Sequence, residues 1–412
     1  MARARVVVTG LGCVSPLGLT VDETWRGIVD GRSGIGPISH FDPDGFDTTF
    51  AAEVKGFDAD EVLGRRLSRR MDRFTQFSIE ATRQALEHAE LEIDDGNRDR
   101  AGVIVGTGIG GMSTLTAEQD GITERGPRWV SPHMVPMMLP DTAAGYTAII
   151  YGMRGPNMAV VTACASSANA IGEATEIIRR GAADVMIAGG AESAIIPIAL
   201  AGFNNMNALS TRNDDPQGAS RPFDLDRDGF VIGEGAASLV LESYEHAVSR
   251  KARVLAEVCG YSATNDAYHI SAPAEGGAGA ALCMQNALQD ARLEPTQIDY
   301  INAHGTSTQL NDASETAAVK TTFGEEAYST PMSSTKSMTG HLLGAAGALE
   351  SLFCLKAIQN NVLPPTINYT TPDPECDLDY VPNEARDAEV RFAMTNSFGF
   401  GGHNACLIYG AV

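Results

Sequence analysis

Cys164 is the side chain best placed for nucleophilic chemistry. It lies in AVVTACASSANAIG, where a strand-like apolar run ends and a helical stretch of small residues begins. A thiol at a helix N-terminus meets unpaired N–H groups and the positive end of the helix dipole, which lower a thiol pKa. Backbone N–H groups at the same place can also hold an oxyanion. The position predicts a nucleophile that attacks a carbonyl; a small buried cysteine is the competing interpretation.

Two histidines are placed to act with this thiol. His304 follows an apolar run in INAHGTST, and His341 precedes a second small-residue helix in KSMTGHLLGAAG. Each lies beside glycine at the end of an element, so it can reach a pocket, although structural hydrogen bonding is the alternative. Lys336 and Glu350 flank His341 and could form a partly buried pair or a solvated one. A cysteine with two histidines could also bind zinc, but no CxxC or HxxxH spacing supports that, so we predict no metal.

Two further motifs have competing interpretations. GTGIGG at 106–111 matches a dinucleotide-binding fingerprint, but no acidic strand end follows about 20 residues later to bind a ribose. We therefore expect this segment to form a pocket wall through close backbone approach. The basic run GRRLSRRMDRF stands out in an acidic chain and could dock an anionic partner, although a solvated helix face is the ordinary explanation.

Composition excludes several classes of protein. The 412 residues carry 30 Lys and Arg against 52 Asp and Glu, a formal net charge of −22, which excludes a generally basic nucleic-acid binder. No run of 18 apolar residues indicates a membrane span, and the N-terminus lacks a signal-peptide cleavage site. Seven cysteines without a CxxC pair are typical of reduced thiols. We expect a cytoplasmic protein that binds neither membranes nor nucleic acids.

The elements that position these residues follow a repeated pattern. Continuous apolar runs that end in glycine alternate with helical stretches, which predicts a layered α/β fold with strands covered on both faces. The pattern recurs in the second half of the chain. We predict two similar halves: residues 1–250 contain the nucleophilic cysteine and a Pro- and Met-rich insertion that caps the pocket, and residues 251–412 contain the histidines.

The motifs together resemble one enzyme family. VTACASSANAIG, NAHGTST, SSTKSMTGHLLGAAGALES and TNSFGFGGHN, in this order, are similar to the β-ketoacyl-acyl carrier protein synthases, most nearly the elongating type II enzymes. The resemblance implies the thiolase-like five-layered α-β-α-β-α fold and a homodimer. It also implies no cofactor, because the substrates are carried on the phosphopantetheine of acyl carrier protein.

The same resemblance assigns roles to individual residues. Cys164 accepts the acyl chain, His304 and His341 drive malonyl decarboxylation, and Lys336 supports the site with Glu350 as its ionic partner. Phe400 is the gating residue, and its N–H joins that of Cys164 in the oxyanion hole. The implied substrate-binding residues are Thr306, Thr308, Ile109, Met134 and Phe398, and the implied carrier-protein contacts are Arg66, Arg69 and Arg70.

The expected reaction is the decarboxylative condensation that elongates fatty acids. The runner-up is the ketosynthase subunit of a type II polyketide synthase, because QLNDASETAAVK is also similar to those proteins. A non-catalytic lipid-binding module and a degradative thiolase are further alternatives. A thiolase needs a second catalytic cysteine, for which the C-terminal region offers only Cys406 within an apolar run. In some relatives, the positions of Asn302, Ala303, Glu350 and Asn396 hold a structural monovalent cation.

Overall fold

A computed structural model describes residues 4–412. The strands within this range are β1 Val6–Val14, β2 Gly36–Pro37, β3 Phe50–Ala51, β4 Ala101–Gly106, β5 Asn157–Val160, β6 Val185–Glu192, β7 Gly235–Ser243, β8 Ala256–Asn265, β9 Tyr300–Asn302, β10 Met332–Ser333, β11 Val362–Leu363, β12 Arg386–Asp387, β13 Phe392–Gly399 and β14 His403–Gly410. The helices are α1 Val21–Val29, α2 Ala59–Leu63, α3 Arg65–Ser68, α4 Arg73–His88, α5 Met112–Arg125, α6 Met134–Met138, α7 Thr142–Tyr151, α8 Ser166–Arg179, α9 Pro197–Asn205, α10 Tyr244–Ser249, α11 Ala278–Ala291, α12 Gln309–Phe323, α13 Lys336–Thr339 and α14 Ala346–Asn360.

Ten strands pair in the order β10-β9-β13-β14-β8-β1-β7-β6-β4-β5, and the two ends of this order repeat one topology. In the first half of the chain, β1 and β7 are antiparallel, β7 and β6 are antiparallel, and β4 and β5 continue in parallel. In the second half, β8, β14, β13, β9 and β10 repeat these directions strand for strand. Only two residue pairs join β1 to β8. The prediction of two related halves is confirmed; their boundary between residues 250 and 251 stays a prediction.

Helices α8 and α14 form the middle layer. Each contacts strands of both halves, while α4 and α7 cover one outer face and α11 and α12 cover the other. The middle helices approach closely because small residues face each other: a Cβ on Gly347 would lie 2.9 Å from the backbone N of Ala168. The Ala348 N–H also donates to Ser167 Oγ at 2.9 Å. This order of layers is the expected α-β-α-β-α arrangement.

The middle layer brings the chemically interesting residues together. Cys164 immediately precedes α8, His341 precedes α14, and Glu350 lies within α14. The segments that lead into these two helices contact each other, between the strands of the two halves. Across residues 4–412, no helix is both long and apolar enough to cross a membrane.

Candidate active site

Cys164 lies on a tight turn between β5 and α8. The turn requires a left-handed backbone at Ala163, where φ is 50°. Ser166 closes the turn, because its hydroxyl donates to the Ala163 carbonyl at 2.6 Å and accepts from the Thr162 N–H at 2.9 Å. Residues 163–165 form a short 3-10 helix that leads directly into α8. The predicted position at the start of a helix is confirmed.

Phe400, the residue that follows β13, supplies a backbone N–H donor beside this turn. The Phe400 N–H donates towards the Cys164 sulfur. A side chain on Gly399 would prevent this approach, since a Cβ there would lie 3.0 Å from the Cys164 backbone N and 2.9 Å from the Thr162 carbonyl. The donor expected for an oxyanion hole therefore lies next to the thiol.

The two histidines complete a compact cluster with the cysteine. One nitrogen of His304, one of His341 and the Cys164 sulfur all lie within 4.8 Å of one another. The imidazole rings meet edge to face, with their centroids 5.3 Å apart. Burial, reinforced by the nearby Lys336 charge, lowers the pKa of both imidazoles well below the usual value. Both rings are therefore neutral, and each has one N–H donor and one acceptor nitrogen.

The protonation state of the thiol differs from the sequence-based expectation. Cys164 is partly exposed to a cavity, but burial of the thiol raises its pKa to about 12. Lys336 and the Phe400 N–H act in the opposite direction without cancelling this effect. The expected lowering of the pKa is wrong because the loss of solvent outweighs the favourable contacts. The thiol must pass its proton to a base, and the neutral imidazoles are within reach.

Lys336 and Glu350 form a buried ion pair between α13 and α14. Their relative exposures are 1% and 3%, so the solvated alternative is wrong. Burial raises the pKa of the Glu350 carboxyl, and Lys336 opposes that change. The ammonium group also lowers the pKa of His304 and His341. The pair thus places a fixed positive charge behind the three reactive side chains.

Glu315 is a site residue that the sequence analysis did not identify. Its carboxylate accepts from the backbone N–H groups of His304 and Gly305 at 2.8 and 2.7 Å, and from the Asn396 side chain at 3.2 Å. Burial raises its pKa to about 7. It lies on α12, eleven residues from the histidine it holds, and only the fold brings these segments together. The available signal was an acidic residue on the buried face of the stretch QLNDASETAAVK.

A cavity of about 720 Å³ opens beside the cluster. Its wall includes many of the residues implied by the family resemblance: Ile109, Cys164, His304, Thr306, Thr308, His341, Phe398 and Phe400. The Thr306 and Thr308 hydroxyls lie 2.9 Å apart. Ile109, Cys164, Leu343 and the rings of Phe203 and Phe230 belong to one apolar cluster. The cavity therefore joins the reactive groups to both a polar and an apolar wall.

Several residues that the sequence predicted to bind the substrate or the carrier protein lie outside the described cavity. Met134 begins α6 and does not line the described cavity, nor does any other residue of 112–140, so the capping role of this insertion stays a prediction. Arg66 and Arg69 are exposed and Arg70 is half-buried, around the short helix α3.

The glycine-rich segment and Cys406, which each suggested an alternative function, are both packed into the structure. In GTGIGG, a Cβ on Gly106 would meet the Ser166 backbone at 2.4 Å, and Gly108 and Ile109 line the cavity, so the segment is a closely packed wall. Cys406 is buried in β14, where its thiol donates to Asn396 Oδ1 at 3.2 Å. It does not line the described cavity, which places it poorly for the second thiol that a thiolase needs.

The cation positions implied by the resemblance fit only in part. Asn302 Oδ1 and Glu350 Oε2 are buried and lack a hydrogen-bond partner among residues 4–412, and such oxygens are suitable ligands for a hard cation. The Asn396 side-chain oxygen instead accepts from Cys406. A cation there would be structural and would neutralise the free oxygen of Glu350.

Comparisons with known proteins agree over nearly the whole chain. Residues 3–247 match the family model of the β-ketoacyl synthase N-terminal domain, and residues 255–370 match that of the C-terminal domain. The 3-oxoacyl-[acyl-carrier-protein] synthase 2 of Synechocystis sp. is 51% identical over 409 residues, covering 99% of this chain and 98% of that protein. The same-named protein of Staphylococcus aureus is 51% identical over 405 residues, with 98% of each chain covered.

Solved structures give the same fold. A β-ketoacyl synthase from Burkholderia phymatum matches with a TM-score of 0.93 and 39% identity, covering 99% of this chain and all of that one. A type II PKS ketosynthase, solved with its acyl-carrier protein and bound to the hexaketide, matches with a TM-score of 0.93 and 37% identity over the full length of both chains. The fold, the motif order and both domain matches show that this chain belongs to the β-ketoacyl synthase family.

Proposed function

We propose that this protein transfers the acyl chain of an acyl carrier protein to Cys164 and condenses it with malonyl-acyl carrier protein, giving free carrier protein, CO2 and 3-oxoacyl-acyl carrier protein in fatty acid elongation. The observation that carries the proposal is the cluster of one thiol and two neutral imidazoles within 4.8 Å beside the cavity. Catalysis by such a cluster requires both a nucleophile and donors for developing negative charge. This site offers both.

In the first half-reaction, the Cys164 sulfur attacks the carbonyl carbon of an acyl thioester. The thiol proton passes to a neighbouring imidazole, and the N–H groups of Cys164 and Phe400 stabilise the oxyanion. When the intermediate collapses, the bond to the carrier sulfur breaks, and that sulfur takes the proton. The products are an acyl-enzyme thioester and free carrier protein.

In the second half-reaction, malonyl carrier protein loses CO2. The electron pair of the broken C–C bond forms an enolate, and N–H groups of His304 and His341 donate to its thioester oxygen. Neutral imidazoles suit this role, because each can donate without first gaining a proton. The enolate carbon attacks the acyl thioester, the bond to the Cys164 sulfur breaks, and the thiol is restored by a proton from solvent.

The cavity wall supports the remaining roles. We assign the Thr306 and Thr308 hydroxyls to the phosphopantetheine arm, since both face the cavity and lie 2.9 Å apart. Ile109 and Phe398 line the substrate side, and Phe400 gates it. Met134 belongs to the acyl pocket only if a second subunit extends that pocket. The docking surface for the acidic carrier protein is the cluster of Arg66, Arg69 and Arg70.

We propose a homodimer formed through β5. This strand is at the end of the sheet and pairs only with β4 among the described strands. Apolar residues around it are exposed: Ile149 by 76%, Met158 by 41% and Val161 by 52%. An open strand edge beside an apolar patch favours pairing with a second copy. Light scattering should give a particle of twice the 43.5 kDa chain mass.

We propose that the reaction uses no cofactor or metal. The thioester itself stabilises the enolate, and loss of CO2 drives its formation. Cys164, His304 and His341 could in principle ligate zinc, but the buried Lys336 charge beside them would oppose a divalent cation. We also propose a cytoplasmic location, because the seven described thiols are all free, as is usual in a reducing compartment.

The ketosynthase of a type II polyketide system is the second candidate. The type II PKS ketosynthase matches the fold with a TM-score of 0.93 at 37% identity, and the ishigamide ketosynthase/chain length factor matches with a TM-score of 0.93 at 38% identity. Relatives named 3-oxoacyl-[acyl-carrier-protein] synthase 2 reach 51%. A substrate panel distinguishes the two functions: we expect rapid elongation of long saturated acyl carriers, whereas repeated condensation on a short starter would support the polyketide function.

A further inference from the structure

Glu192 is a buried carboxylate for which the mechanism above has no use. It ends β6 with 0% relative exposure, and it forms no salt bridge with any other described residue. Its two oxygens accept four hydrogen bonds, two on each. One oxygen accepts from the Thr107 hydroxyl at 3.0 Å and the Ile109 N–H at 3.3 Å; the other accepts from the N–H groups of Gly108 and Gly344 at 2.6 and 3.0 Å.

These contacts tie together two segments that are distant in sequence. Residues 107–109 belong to the first half of the molecule, and Gly344 lies just before α14 in the second half. The segments touch backbone to backbone: a Cβ on Gly344 would lie 2.1 Å from the Gly108 N. Because both N–H groups point at one carboxylate oxygen, the position of Glu192 fixes the distance between the two segments.

Both segments carry side chains of the cavity wall. Ile109 lies next to Gly108, and Leu343 lies next to Gly344. Ile109 and Leu343 both line the cavity and share an apolar cluster with Cys164. Any change in the spacing of the two segments therefore changes the width of the apolar space beside the nucleophile.

We propose that Glu192 is a positioning residue that sets the acyl-chain preference by fixing Ile109 and Leu343 relative to Cys164. This inference rests on the proposed function, because it takes the apolar space to be the acyl pocket. Glu192 acts through the backbone of residues 107–109 and 344 and does not contact the substrate. Burial raises its pKa to about 7, although its four donors oppose that change.

The test is a Glu192→Gln variant assayed for acylation of Cys164 with hexanoyl and hexadecanoyl carrier proteins. An amide offers one acceptor oxygen, so its NH2 group must face two of the four donors and push them away. The proposal places the long chain between Ile109 and Leu343, whereas the short chain makes fewer contacts with that wall. We expect the ratio of kcat/KM for the long chain over the short chain to fall about tenfold. Glu192→Asp keeps the charge and should restore part of the ratio.

Glu242→Gln is the matched control. Glu242 is also 0% exposed, but it pairs with Arg250 and His246 away from the cavity lining. Its variant should lower the Tm and leave the ratio unchanged. If Glu192→Gln does not fold, Gly344→Ala makes the same test, because its methyl group forces the two segments apart.

The possible failures are distinguishable. Wild-type protein that accepts neither carrier would overturn the proposed function and this inference with it. Wild-type protein that is acylated, with an unchanged ratio in the folded Glu192 or Gly344 variant, would overturn only the inference. An equal loss of acylation with both chains would also overturn only the inference, since a purely structural role of Glu192 would slow acylation by long and short chains equally.

Discussion

At the scale of the residue, the site depends on groups that are uncharged before they react. Burial favours the neutral forms of Cys164, His304 and His341. The Lys336 ammonium group lies behind the reactive groups and is paired with the Glu350 carboxylate. Such a site can transfer the thiol proton and then offer N–H donors to an enolate without building up net charge.

Replacing either histidine should separate the two half-reactions. His304→Ala and His341→Ala should each still form the acyl-enzyme, because one imidazole remains to take the thiol proton. Each should lose about 10²-fold or more in condensation, since an enolate donor is missing. Acyl transfer is measured by intact mass, and condensation by release of CO2 from malonyl carrier protein. Full condensation by both variants would contradict the assigned roles.

The neutral state of these imidazoles can be observed directly. An unperturbed histidine titrates at about pH 6.5, but burial lowers the pKa of His304 and His341 well below that. In protein labelled at histidine Cε1, the two NMR signals absent from the alanine variants should stay at their neutral positions between pH 8 and pH 6. A titration midpoint near pH 6.5 for either signal would refute the assignment.

The sequence predicted which side chains lie together better than it predicted their environment. Cys164, His304, His341 and Lys336 were recognisable because glycine and small residues surround them. The pKa of Cys164 was not, because a helix N-terminus is visible in sequence while the surrounding protein atoms are not. Glu315 and Glu192 were missed for a related reason: both accept backbone N–H groups from segments that only the fold brings near.

At the scale of the element, catalysis depends on the ends of strands and helices. The turn before α8 presents the thiol, and the end of β13 brings the Phe400 N–H beside it. Gly399 is the point where these two elements touch. The apolar runs predicted which segments form strands and helices. They did not predict the order of the strands in the sheet, because the sequence of one strand does not specify which strand it pairs with.

Gly399→Ala should damage the oxyanion hole without removing any reactive side chain. The added methyl group would lie 3.0 Å from the Cys164 N and would displace the Phe400 N–H. Loss of one such donor costs about 10²–10³ in rate, so acylation should slow by roughly that factor. Gly202→Ala is the control, because a Cβ there meets nothing within 4 Å. Equal acylation rates in both variants would show that Phe400 contributes no donor.

At the scale of the whole molecule, the charge distribution bears on partner recognition. The protein carries a net charge of −22, and the proposed function requires it to bind acyl carrier protein. The arginines around α3 offer a local region of opposite sign, and no described salt bridge involves Arg66, Arg69 or Arg70. Their charges are free to attract an anionic partner.

Reversing Arg66, Arg69 and Arg70 to Glu should raise the KM for carrier-bound substrates far more than for pantetheine analogues. The control reverses three other exposed cations, Arg180, Lys251 and Arg253, which changes the net charge by the same amount. Steady-state kinetics with both substrate types measures the effect. Similar KM changes in the two triple variants would show that the effect comes from the overall charge. Arg66, Arg69 and Arg70 would then not form a docking surface.

Both half-reactions depend on an acyl-enzyme at Cys164, which intact-mass analysis can detect. The protein is mixed with hexadecanoyl carrier protein, and any adduct is located by peptide mapping. We predict a mass increase of one palmitoyl group, located on Cys164 and absent from Cys164→Ala. A folded protein that gains no adduct from a competent carrier, or gains one at another residue, would show that Cys164 does not carry the acyl chain.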